Sequence, residues 1–160
     1  MEVAARWPER VAGLVIAGST AEPTGVRTLA FDGLAWMFET FDPDWLWRAN
    51  NWYFRWRYPP VIAEPIVAGG FHFAGGAVAV RSLVGEQFRP RLARFPGRTL
   101  IVNGEFDLLF RLSQRSFAEA AADATSVVLR RAVHLSNLDR PDAFTAALRR
   151  FARSVVAPLE

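Results

Sequence analysis

The 160-residue chain is 51% hydrophobic and 22% charged, too apolar for a disordered tail and long enough for one ordinary domain with a buried core. It has no cysteine and only two distant histidines, His72 and His134, which excludes disulfides, thiolate ligands and a Cys nucleophile, and no metal is expected. Its net charge of +3 comes from arginines scattered among acidic neighbours, and no apolar run approaches the roughly 18 to 20 residues of a spanning helix, so neither a nucleic-acid partner nor a membrane is expected and the chain reads as cytoplasmic.

In chain order, "EVAARWPE" predicts the tail of a helix that stops at Pro8, because the residue before a proline is biased away from helical backbone. The run "VAGLVIAG" over 11–18 is almost continuously apolar and ends in glycine, which predicts a strand covered on both faces and therefore a parallel sheet. Residues 20–96 differ in character. They hold five of the six tryptophans and predict several short helices with turns at "FDPDW", "YPPV" and "GGFHFAGG", an insertion between two strands. Within it Trp45, Trp52 and Trp56 fall on one helical face, a stripe that suits a core face most often, and otherwise a substrate wall or a membrane surface. Two further strands are predicted at "RTLIVNG" (98–104) and "TSVVLR" (125–130), with a helix over 111–124 between them and a last helix after "DRP". The fold class is α/β, with a partial core formed by 1–19 and 97–160 and a helical insertion over 20–96.

Two residues stand where an open α/β sheet places its chemistry. Asp107 closes "VNGEFD", directly after a strand, and His134 falls in the loop after the next one. A crossover connection carries both loops to the same edge of the sheet. An Asp that accepts from His Nδ1–H fixes the ring's tautomer and leaves Nε2 free to take a proton from a hydroxyl. The alternative reading gives Asp107 to a turn and His134 to packing. Asp139, with Pro141 and Asp142 behind it, reads as the N-cap of the last helix.

Three blocks carry a family resemblance: "ARWPERVAGLVIAGS", "RTLIVNGEFD" and "AVHLSNLDRPDAFTAALRRF", in that order, with a long insertion between the first two. The chain resembles the C-terminal part of the α/β-hydrolase fold family, in the group that holds enol-lactonases and small esterases. The resemblance implies that Asp107 is the acid and His134 the base, with Glu105 the alternative acid. It makes 20–96 a cap over the active site, with Trp36, Trp45, Trp52 and Trp56 as its candidate substrate contacts. His72 reads as a loop histidine. The implied substrate is a small apolar or aromatic ester or lactone, with no cofactor.

The family's nucleophile sits in a G-x-S-x-G elbow, and no such motif occurs here; Ser19, Ser82, Ser113 and Ser136 all lack the flanking glycines. The chain therefore reads as truncated at its amino end and inactive alone. Its open sheet is expected to pair with a complementing N-terminal half or with a second copy. Two other readings stay open: a non-catalytic half-hydrolase that serves as a binding module, and a relative of the dehalogenases and epoxide hydrolases with an Asp nucleophile.

Overall fold

The computed structural model describes residues 1–156, apart from the side chains of 26 and 27. The chain opens with α1 (Glu2–Arg6), a 3-10 turn (Pro8–Arg10) and β1 (Leu14–Ala17). Four helices follow, α2 (Val26–Thr40), α3 (Pro43–Arg57), α4 (Pro60–Gly69) and α5 (Phe73–Arg81). The remainder is α6 (Arg89–Leu92), β2 (Arg98–Gly104), α7 (Leu108–Arg111), α8 (Gln114–Ala120), β3 (Asp123–Leu129), α9 (Ser136–Asp139) and α10 (Pro141–Val156). These elements form two compact units, Met1–Glu22 with Gln87–Glu160, and Pro23–Glu86.

The first unit is built on a three-stranded parallel sheet in the order β1-β2-β3. β2 is its middle strand, and Thr99 to Gly104 are all buried. That follows from its sequence: a run of branched apolar residues behind a Pro-Gly turn suits a strand covered on both faces. Alternation sends its side chains to opposite layers. Ile101, with Ile16 of β1, packs against Leu92 of α6 and Phe117 of α8. Leu100 and Val102, with Leu129 of β3, pack against Phe144, Leu148 and Phe151 of α10. Residues 87–96, which composition groups with the insertion, belong to this unit because Leu92 and Phe95 are fully buried in it.

β1 pairs with β2 on one side only, and among the described residues its other edge is free, with Val15 40% exposed. Of the helix expected over 111–124 only α8 (Gln114–Ala120) forms: α7 ends at Arg111, Ser113 is buried between the two, and β3 already begins at Asp123. Asp139 is likewise not where a cap would be. α10 begins at Pro141, so Arg140 holds the N-cap position, and the Asp139 carboxylate accepts from the Val133 N–H at 2.7 Å.

The second unit is helical throughout. α3 starts where Asp42 accepts from the Trp45 N–H at 2.7 Å and Pro43 occupies the first turn. It buries Leu46, Asn51 and Phe54. Trp45, Trp52 and Trp56 lie on the opposite, exposed face, which corrects the core reading of that stripe. Ion pairs tie the helices: Arg55 to Glu64 joins α3 to α4, and Arg81, paired with both Glu39 and Asp32, joins α5 to α2. No single helix among the described residues is long and apolar enough to cross a membrane.

Two predictions follow from this packing. Phe54→Ala should destabilise the helical unit by about 3–5 kcal/mol, whereas Trp52→Ala, losing only a stacked and exposed ring, should cost less than about 1.5 kcal/mol, as read from denaturant unfolding followed by circular dichroism. The Arg81 guanidinium, hydrogen-bonded to Glu39, holds that carboxyl below the usual carboxylate range. A depressed folded-state pKa gives stability that is present above the unfolded value and lost as pH falls through the folded one. Arg81→Gln should therefore flatten the acid dependence of stability in that window, which parallel acid titrations of the two proteins will show.

Candidate active site

The site is assembled at the carboxyl end of β2. Gly104 ends the strand, and a β-carbon there would lie 2.6 Å from the Ala132 carbonyl oxygen, so only glycine lets the loop after β3 approach so closely. The chain then turns through Glu105 and Phe106 and delivers Asp107 to the N-cap position of α7. His134 arrives from the loop between β3 and α9. Its Nδ1 lies 3.0 Å from Asp107 Oδ2, so the two residues picked from sequence, 27 positions apart, are in hydrogen-bond contact. With the carboxylate ionised, Nδ1–H is the donor and Nε2 carries the lone pair.

Burial divides the pair. The Asp107 side chain is 5% exposed and that of His134 is 50% exposed. A buried carboxylate with one charge-assisted acceptor role beneath a half-open imidazole is the arrangement expected of an acid that orients a base. Two further groups fix the ring, and neither is signalled by sequence spacing. The Phe110 ring stacks on the imidazole with centroids 4.3 Å apart and planes inclined by 26°. On another side stands Gly18, at the end of β1, where an added β-carbon would lie 3.1 Å from both Cε1 and Nδ1 of His134. Gly18 also has a positive φ of 51°, so both its conformation and its neighbour require glycine.

Glu105, the alternative acid, is engaged elsewhere: its Oε2 accepts from the Arg131 backbone N–H at 2.8 Å. Ser19 donates to the Ala17 carbonyl, and Ser113 and Ser136 are buried, so the serines nearest these strands and loops do not form a dyad with His134. Among the described residues no group of three or more His, Cys, Asp or Glu side chains is placed to hold a metal.

The other candidates lie in the helical unit. Trp36, Trp45, Trp52 and Trp56 are all exposed, Trp52 at 67% and Trp56 at 68%. Trp52 and Trp56 stack with centroids 5.7 Å apart, while Phe41 bridges Trp36 and Trp45 by edge contacts at 5.8 and 5.5 Å. His72 is an exposed residue at the N-cap of α5, on a cleft of about 930 Å³ lined also by Phe38, Phe41, Phe71 and Phe73.

Comparison of this geometry with solved structures identifies the class. No protein-family model matches the chain, and no curated protein matches it. Solved structures do. An esterase from Thermogutta terrifontis superposes with a TM-score of 0.71 at 21% identity, over 96% of this chain and 60% of the esterase. The enol-lactonase from Burkholderia xenovorans gives 0.73 at 25% identity, over 94% and 59%. A hydrolase from Pseudomonas aeruginosa gives 0.69 at 26% identity, over 94% and 58%. The fold is therefore that of an α/β-hydrolase, and the parallel sheet with its flanking helices forms the C-terminal portion of it. The chain spans about 60% of the length of the structures it matches.

Gly18→Ala should push the imidazole off Asp107 and, by forcing a β-carbon into left-handed backbone, destabilise this unit by about 1–2 kcal/mol. A crystal structure or side-chain NMR of the variant will show a lengthened Asp107–His134 contact.

Proposed function

We propose that this chain supplies the acid and the base of a serine-type hydrolase, whose nucleophile is carried on polypeptide outside these 160 residues. The observation that carries the reading is the contact between buried Asp107 and half-exposed His134 at the carboxyl end of the sheet. In this scheme Nε2 of His134 takes the serine proton as the oxygen attacks an acyl carbon. Asp107 stabilises the imidazolium through Nδ1–H. The imidazolium then returns its proton to the leaving oxygen. The bond cleaved is that of an ester or lactone, as the names of the matched esterase and enol-lactonase suggest.

The helical unit, Pro23–Glu86, serves as the cap in this reading, with Trp36, Trp45, Trp52 and Trp56 as its wall for an apolar or aromatic substrate. Their exposure supports such a role. The free edge of β1 takes the strand that brings the nucleophile, since an unpaired apolar edge calls for a partner. The same edge favours a second reading, in which the chain is a non-catalytic module that pairs with a second copy.

Removing one oxyanion donor alone costs about 100- to 1000-fold in rate, so a chain without nucleophile or oxyanion loop should show negligible turnover of p-nitrophenyl esters. Extending the chain upstream through its own reading frame should add a G-x-S-x-G segment and restore hydrolysis. In that longer protein, Asp107→Asn should lower kcat by about 10⁴-fold, and His134→Ala by at least as much. Undiminished hydrolysis by His134→Ala would overturn the assignment of the base. A stop codon directly upstream, together with a stable inactive dimer in size-exclusion chromatography, would favour the module.

A further inference from the structure

The loop that presents His134 contains the one non-glycine residue with positive φ among the described residues, Arg131 at 57°. Residues with a β-carbon resist that conformation and keep it only where their surroundings hold them there. Here the holding groups are identifiable. Glu105 Oε2 accepts from the Arg131 N–H at 2.8 Å, and Asp139 Oδ2 accepts from the Val133 N–H at 2.7 Å. Between these two bonds, the Ala132 carbonyl accepts from the Phe106 N–H at 2.9 Å. The backbone of Glu105 is itself fixed, with its N–H on the Leu129 carbonyl at 2.9 Å and its carbonyl on Arg111 Nη1 at 3.0 Å.

We infer that Glu105 and Asp139 are positioning residues: two carboxylates that latch the backbone on the N-terminal side of His134 and so set the distance from its imidazole to Asp107. Glu105 does most of this, because it stands two residues from Asp107 and grips the loop at its least favourable conformation. Its carboxylate thereby couples the loop of the acid to the loop of the base, independently of the bond between the two side chains. Only the catalytic consequence rests on the acid–base reading above; the latch itself is a matter of geometry.

The test uses the 160-residue chain and NMR of the His134 ring: its low-field Nδ1–H resonance and the ring-current shift imposed by Phe110. Glu105→Ala should broaden or abolish the Nδ1–H resonance, with amide shifts confined to residues 104–107 and 129–134. Glu105→Gln should retain it, because the amide oxygen still accepts from Arg131. Adding Arg131→Gly to Glu105→Ala should restore it, since glycine adopts positive φ without a latch. Asp139→Ala should give a weaker version of the Glu105→Ala effect.

An unchanged Nδ1–H resonance in Glu105→Ala overturns the inference. So does a double variant that stays as impaired as Glu105→Ala, because the carboxylate would then act through general stability rather than through this turn. If Glu105→Ala does not fold, the double variant decides: a folded protein with the resonance supports the latch, and an unfolded one overturns it. Failure here leaves the role of His134 untouched, while undiminished hydrolysis by His134→Ala in the longer protein would remove that role and leave the NMR result standing.

Discussion

The burial of β2 between β1 and β3 is the constraint from which the rest of the sheet unit follows. A strand covered on both faces and paired on both sides has its register fixed, since a slip of one residue would exchange its two layers of side chains. Leu100 and Val102 are committed to α10, and Ile101 to α8. With β2 fixed, the position of Gly104 is fixed, and with it the turn that carries Asp107. The Asp107–His134 pair therefore inherits its geometry from the buried middle strand. The loops that hold the pair are short and heavily hydrogen-bonded, which is how a site is kept in place on connecting segments.

The helical unit follows a different logic. Its helices bury small or aromatic residues such as Ala35, Phe54, Ala63 and Ala77, and leave large apolar side chains outside. Exposed indoles on α3 are flanked by Arg48 and Arg55, so the face is apolar in the middle and charged at its margin.

The sheet was legible in sequence because parallel strands are written as continuous apolar runs. The run over 98–104 coincides with β2, and the other two overlap β1 and β3. Asp107 and His134 were legible because topology brings strand ends together, whatever the detail of the loops. What sequence misjudged depended on local contacts that spacing does not encode. Helical periodicity over 111–124 cannot show that α8 starts only after the buried Ser113 or that β3 already begins at Asp123. Asp139 carries the signature of a cap, yet α10 begins at Pro141 and the Asp139 carboxylate accepts from the Val133 N–H. The tryptophan stripe has the period of a core face, but period fixes only that the side chains share a side, and α3 turns that side outward. Glu105 and Asp107 are both carboxylates after a strand, and only local contacts separate them: Asp107 is buried against His134 Nδ1, whereas Glu105 accepts from the Arg131 N–H.

The placement of the tryptophans also determines what light can report about this molecule. All six, including Trp7 in the sheet unit, are exposed. The indoles are already 44–68% exposed in the native state, so unfolding should shift their emission less than it would shift that of buried indoles. The aromatic residues that lose a buried environment on unfolding are Phe95 and Phe117 in the sheet unit and Phe31, Phe54 and Tyr58 in the helical one. Tryptophan fluorescence should accordingly be a poor probe of whether either core is intact.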